Sequence, residues 1–438
     1  MGGLQADSSF HESSGPHVRM GNVKLSLDKV LLFLYVLLKP FYLFPSGNPQ
    51  IADFIMLLLI AYTFLFRVNQ LQRKYLFFVL LTLAFLYDIL LVNGLWAIAL
   101  GGVMEVFEST KWYWYNGAVL LTVVVLCQSE PREYVQWLFW SVACSLAVQT
   151  LALLLGLAPG EHDFRQSLFF NNPNQLGYFG LLCLGICLFG ARFFPVRAIY
   201  LFVVIGCSLS VIAASLSKAA IVSALLMYAV FLFVSWKERT GLFWKNVVCV
   251  LACFFLLFCI SLYTNENVLH NATIYTQVKE RLETLGEDSD DNLASRGYDR
   301  IVNHPEYMFF GAGEGQYERF DSSIALELHS TVANLFFSYG IVGTLLFFLL
   351  LYAGVRGHRF YSWYPLFFQI VYGLTHNGIR ETFFWILLAL YCVTAGMSAD
   401  SIKNGGDLHG KNFANLRNRP NGGKSALAAH PKAGGGRP

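Results

Sequence analysis

Long apolar runs separated by short polar breaks dominate the chain, and the spacing of the breaks predicts its elements. A first run opens after Asp28 and Lys29 and reaches Phe44. Others follow over 51–66, 75–100, 112–127, 134–157, 175–194, 198–214, 219–236, 247–263, 332–353, 361–374 and 382–396. Most of them approach the ~17–25 residues that a helix needs to cross a bilayer. Apolar residues cover every side of these runs instead of one stripe, as lipid-embedded helices require. The pattern predicts an all-α, polytopic helical membrane protein with about twelve transmembrane helices and one large periplasmic loop. The chain divides into a cytoplasmic tail at 1–27, helices one to nine within 28–264, the large loop at 265–330, helices ten to twelve within 331–398, and a disordered cytoplasmic tail at 399–438. The first run is too long and too far into the chain for a simple signal peptide, and no small-residue cleavage site follows it.

Composition hardens this picture. Of 438 residues, 55% are hydrophobic, 16% aromatic and only 13% charged, against roughly 25% charged in soluble domains. A soluble globule is excluded, because it could not wrap so much apolar sequence in polar surface. The net charge of +3 decides little; where the cations sit decides more. Alternate short breaks hold Arg67, Arg73 and Lys74, then Arg132, then Arg192 and Arg197, then Lys237, Arg239 and Lys245, then Arg356 and Arg359. The positive-inside rule puts these breaks and both termini in the cytoplasm, which fits an even number of spans. All nine cysteines, Cys183, Cys187, Cys249 and Cys253 among them, fall in apolar runs. They read as small buried hydrophobes without a disulfide framework or metal-ligand spacing.

The other side of the membrane carries the chemistry. Arg165 in "EHDFRQSLFFNNPN", Lys218 in "SLSKAA" and Arg380 in "THNGIRE" stand in short outer breaks, where the topology rule disfavours cations. They read as anion-binding groups, against the alternative of snorkelling to the interface. In the large loop, Lys279, Arg281 and Arg319 read as solvated surface. Ile274, Val278, Leu282 and Leu285 recur at near-helical spacing and suggest an amphipathic helix, with an acidic turn after it at 287–291. Asp288, Asp290 and Asn292 imitate the start of a calcium loop, but Leu293 stands where glycine is needed and Asp299 where a glutamate belongs. Arg296 and Arg300 are four apart, so on a helix they would share one face and grip one polyanion. "GAGEG" after Pro305 reads as a glycine turn, since no strand–turn–helix unit surrounds it to make a nucleotide site.

Taken in order, these motifs resemble the O-antigen ligase and polysaccharide polymerase superfamily of bacterial membrane glycosyltransferases, over about 40–385 of the chain. Prolines in an early span precede an aspartate at the start of the next (Pro40, Pro45, Asp53). Arg165 precedes the Asn172–Pro173–Asn174 turn. A small-residue stretch ends in Lys218, where the family usually has arginine. "SRGYDRIVNHPEYMFFGAGEGQ" follows the family's arginine, histidine–proline and glycine-x-glycine succession. In "LHSTVANLFFSYGIVG", His329 stands eleven residues before Gly340 and fourteen before Gly343. One departure is Ser330, where many relatives have asparagine. The resemblance implies a bacterial inner-membrane transferase with its site at the periplasmic face. Its partners would be a polyprenyl-diphosphate-linked oligosaccharide donor, a glycan acceptor, membrane lipids and a chain-length regulator, with no nucleic acid. It implies a metal-independent reaction without a cofactor, and places Asn174 among the substrate-binding residues.

The chemistry can be argued beside the resemblance. Nucleotide sugars are absent outside the inner membrane, so a transferase there needs a donor already activated on a lipid. Such an enzyme must hold the diphosphate, neutralise charge developing on it and deprotonate a sugar hydroxyl. Arg165, Arg296 and Arg300 are the first candidates for the diphosphate, with Lys218 and Arg380 behind them. His329 is the candidate base, against a structural role capping the span that follows. His304 before Pro305 reads as structural, and His376 stays open. Three functions compete: a polymerase joining lipid-linked repeats, a ligase moving the finished chain onto lipid A-core, and a transporter or flippase. Residues around His329 favour the polymerase. Transport has thin support, as Asp88 is the main charge within a span and no repeat is evident.

Overall fold

The computed structural model describes residues 18–20, 23–157, 161–162, 165–264, 279–280, 283, 293, 295–322 and 326–397. The expected amphipathic positions Ile274, Val278, Leu282 and Leu285, the acidic turn at 287–291, Arg281 and the tail at 399–438 lie outside the described residues. The described elements belong to one unit, Met1–Gly396, which clusters separately from Met397–Pro438.

Each of the predicted apolar runs contains a helix. They are α1 (Leu27–Leu38), α2 (Ile51–Phe66), α3 (Leu76–Ala99), α4 (Thr110–Cys127), α5 (Pro131–Leu154), α6 (Pro173–Gly190), α7 (Ala198–Ser215), α8 (Lys218–Glu238) and α9 (Thr240–Thr264). A short α10 (Asp299–Asn303) lies in the long loop after α9, and α11 (Thr331–Val355), α12 (Tyr364–Gly373) and α13 (Thr382–Thr394) follow. Strands occur only as short antiparallel pairs among the described residues, Val18–Met20 (β1) with Val23–Leu25 (β2) and Glu161–His162 (β3) with Arg165–Gln166 (β4). The all-α class expected from the pattern is therefore observed. Six helices among the described residues are long and apolar enough to cross a membrane: the one ending at Ala99, α5, α6, α7, α8 and α11. The shortfall from twelve has local causes. α1, α2, α12 and α13 fall short of the ~17 residues a span needs at least, α4 opens on the polar and aromatic "TKWYWYN", and the side chains of α9 are described only as far as Ala252.

α6 and α13 form the interior. In α6, 89% of the residues are buried, and its glycines explain how neighbours come so close. A Cβ at Gly177 would meet Ser215 and Ser217, at Gly180 Ile212, and at Gly185 Gln369. Small residues let membrane helices approach where no hydrophobic drive separates protein from lipid. Around this pair, α1 packs on α2 and α5, α3 on α11, and α4 on α13.

Two features shape the end of the bundle where α6 and α11 begin. The Asn172 side chain accepts from the Gln175 N–H at 2.9 Å and Pro173 fills the first turn of α6, a cap that satisfies a backbone donor otherwise orphaned. Ser330 caps α11 in the same way, accepting from the Ala333 N–H at 3.2 Å. Serine at this position thus fills a cap that asparagine fills as well. Within α11 the helix breaks at Gly340 (φ 62°, ψ −166°). The loop before α11 enters the break: Ala312 N–H donates to the Phe337 carbonyl and Gly313 N–H to that of Ser338, both at 2.8 Å. A small core of Ala312, Phe320, Leu328, Ala333 and Phe337, flanked by Tyr298, Ile301, Tyr307 and Tyr317, holds the loop there.

Candidate active site at one end of the helix bundle

The segment 374–381, between α12 and α13, carries His376 and Arg380, is contacted by Arg296, and follows Tyr372, which reaches Asn174. On one flank, Arg165 Nε donates to the Ser215 carbonyl at 3.1 Å and its Nη2 to Asn174 Oδ1 at 2.7 Å. It so ties the start of α6 to the end of α7, three residues before Lys218 opens α8. Tyr372 donates to the Asn174 carbonyl at 3.3 Å and stacks between Tyr178 (4.3 Å) and His376 (4.8 Å). His376 Nδ1 lies 3.0 Å from Thr375 Oγ1.

Across the segment, Arg296 Nη1 donates to the Thr375 carbonyl, and the Arg296 carbonyl accepts the His329 N–H at 3.1 Å. His329 is exposed and Ser330, next to it, is buried with its hydroxyl 3.2 Å from the Gly373 carbonyl. Arg296 and His329 are therefore neighbours although the sequence separates them by a whole loop.

Arg380 sits differently. Its Nη2 pairs with Glu327, its Nη1 lies 3.4 Å from Ser109 Oγ, and its carbonyl accepts from Asn116 at 2.8 Å. Burial works against its charge, but Glu327 and Glu314 outweigh burial and hold the guanidinium above its ordinary pKa. Glu327 in turn is pushed up by burial, which Arg380 only partly offsets. Arg380 thus enters the site already answered by carboxylates.

The expectation that Arg296 and Arg300 share a helix face is corrected. α10 begins only at Asp299, so Arg296 lies in the turn before it. Arg300 is fully buried, with its guanidinium over the rings of Tyr317 (5.2 Å) and Phe320 (5.6 Å). Burial lowers its pKa, against the pull of Tyr317 and Asp299. Arg319, expected on the solvated surface, is also drawn in, between Trp96 (4.7 Å) and Phe320 (4.4 Å). Lys279 does lie exposed, 3.7 Å from Glu283. His304 bridges Glu306 (3.1 Å) and the Phe320 carbonyl (2.8 Å), the structural part expected of it.

These placements separate the two arginines by experiment. Arg296→Ala is expected to leave the melting temperature near wild type and to weaken donor use by tenfold or more, the ~1.5–3 kcal/mol of a charge-assisted contact. Lysine rescues Arg296 poorly if the fork geometry matters. Arg300→Ala is expected to lower the melting temperature instead, since it empties a buried site beneath two rings. A stable Arg300→Ala protein with a selective donor defect reverses the assignment.

Sequence reasoning missed Lys39 as the partner of Asp53, missed Glu327, and missed the burial of Glu314. Lys39 and Asp53 form a buried ion pair at 2.8 Å, joined by the Tyr115 hydroxyl at 2.9 Å from Asp53. Lys39 is a cation at the outer end of the first run, the same signal that drew attention to Arg165. Glu327 stands two residues before His329. Glu314, inside "GAGEG", is buried and accepts from Tyr113 and Asn334 at 3.0 Å each, while its own N–H donates to Asn93 at 3.0 Å. Nothing local marks a glutamate in a glycine turn as buried.

Residues 201–348 match the family model described as O-antigen ligase. That stretch runs from α7 through the long loop after α9 into α11, and includes Lys218, Arg296, Arg300 and His329. No curated protein matches the chain.

Proposed function

We propose, from the premise that its 201–348 segment places this membrane protein in the O-antigen ligase/polymerase superfamily, that the chain is a periplasmic-face glycosyltransferase. It takes a polyprenyl-diphosphate-linked oligosaccharide as donor and extends it into O-antigen, capsule or exopolysaccharide. The observation that supports this reading is a chain of links at one end of the bundle: Arg165 to Asn174 and Asn174 to Tyr372, Arg296 to Thr375 and to the His329 N–H, and Arg380 in the same segment paired with Glu327. A diphosphate at headgroup depth is held there by Arg296 and Arg165, with Lys218 beside them, through bidentate or charge-assisted bonds. Arg380, carrying Glu327, positions more than it neutralises. His329 accepts the proton of the attacking hydroxyl as the bond between sugar and diphosphate breaks, and the diphosphate leaves on its lipid. The arginines supply the charge that a metal would otherwise supply.

The acceptor is a second lipid-linked repeat in a polymerase and lipid A-core in a ligase. The matched family's description favours the ligase, and the residues around His329 favour the polymerase. The sugar ladder of cells lacking the gene separates them. Loss of chain length with single repeats retained indicates the polymerase, and loss of all polymer from the core indicates the ligase. An unchanged ladder in cells that make the polymer removes both.

A further inference from the structure

At the end of the bundle away from this site, the last residues of α6 and α8 and the first of α9 and α12 enclose a cleft. The cleft is narrow and opens to solvent, so a ligand would meet it at its mouth. Arg239, which ends α8, donates to the Ala191 carbonyl at 2.9 Å and the Arg192 carbonyl at 2.8 Å, and so closes the end of α6. Arg192 offers only Nη2 to Glu238, at 3.4 Å from both carboxylate oxygens. Its Nε and Nη1 are buried without a hydrogen-bond partner among the described residues, and so is the hydroxyl of Tyr364. All four of these residues line the cleft.

The balance of charge and donors points to an acceptor. Two arginines face one glutamate, leaving a formal excess of one positive charge. Burial holds the Arg239 guanidinium below its ordinary pKa; Glu238 opposes that shift and the neighbouring Arg192 adds to it. Buried donors left unmatched destabilise a fold, and buried cations more so. A group with several oxygens and a negative charge would accept from Tyr364 and from one of the two free Arg192 donors, Nε or Nη1, which point to opposite sides of the guanidinium. The surroundings indicate its source. Trp236 at the end of α8 and Trp244 at the start of α9 are more than half exposed, and exposed tryptophans at helix ends mark headgroup depth. Phe231 and Leu242 supply apolar walls. Basic pockets between membrane helices at that depth suit phosphate headgroups.

We infer that the Arg192–Arg239–Tyr364 cleft binds a phosphate group, presented by the headgroup of an anionic lipid in the leaflet opposite the candidate active site. It is independent of the transferase reading, because none of these residues belongs to that site.

The test uses the whole chain purified in detergent with phosphatidylcholine and reads thermal unfolding on titration with phosphatidylglycerol or inorganic phosphate. Phosphatidylglycerol is expected to raise the midpoint of the wild type, and Arg192→Gln to weaken its apparent affinity by about tenfold or more. Tyr364→Phe removes only a hydroxyl and is expected to weaken it by roughly two- to tenfold, which keeps the test decisive if Arg192→Gln does not fold. Arg197→Gln, whose arginine rests on Tyr200 at 5.9 Å outside the cleft, leaves the titration unchanged. Equal stabilisation by inorganic phosphate, lost in the same variants, overturns the lipid as source and leaves a soluble phosphate. No stabilisation of the wild type by either, or equal stabilisation of Arg192→Gln and Tyr364→Phe, overturns the site and leaves water in the cleft.

Discussion

His329→Ala is expected to lower turnover by about two to four orders of magnitude, the usual worth of a positioned general base, while folding and donor binding stay largely intact. The structure supplies the reason for the second half. The cap of α11 is made by the Ser330 side chain, and the tether of His329 to Arg296 is made by its backbone N–H. Neither depends on the imidazole. A histidine that served the fold alone would give the opposite result: poor expression, with normal work from whatever folds. The ring must be neutral to accept a proton, so wild-type activity falls as pH drops through its pKa. The measurement is turnover of purified lipid-linked repeats by wild type, His329→Ala and His329→Gln at matched protein amounts. Near-wild-type turnover in either variant rules out an essential base, and the arginines would then act by positioning and electrostatics alone.

Gly340→Ala should disable the protein by another route. At φ 62° and ψ −166° the residue occupies a region nearly closed to side chains. An added Cβ would also stand 2.2 Å from the Phe309 carbonyl oxygen and 2.8 Å from the Gly311 nitrogen. These are backbone atoms and cannot rotate away. Backbone strain of about 1–3 kcal/mol adds to that overlap, and the loop must leave the break in α11. Its departure would take away the Ala312 and Gly313 hydrogen bonds and the packing of Phe320 on Phe337. A lower melting temperature in detergent and loss of transferase activity are expected together. Gly206→Ala serves as control, because its Cβ meets nothing within 4 Å and alanine favours a helix. Wild-type melting and activity in Gly340→Ala would mean that the loop does not depend on this break.

Much of the molecule was legible before any coordinates. A helix satisfies its own backbone in lipid and these runs are apolar on all sides, so the hydrophobic pattern alone marked where helices lie, with six of them long and apolar enough to cross a membrane among the described residues. The caps are just as local, since Asn172 and Ser330 act on amides three residues away, but in the sequence the first reads only as a turn and the second role is offered to His329. The grouping of Arg165 with Asn174 also followed from nearness in the chain. What a spacing of four between Arg296 and Arg300 does was not legible, because it depends on where a helix begins, and α10 begins between them. Tertiary structure alone decided which cations face the site and which are buried. Arg300 and Arg319 disappear under aromatic rings contributed by the loop and α3, Arg380 meets Glu327 from 53 residues away, and Tyr113 reaches Glu314 across 201. Such pairs are set by which helix ends come together, and the burial that fixes their charge arises only when the bundle closes over them.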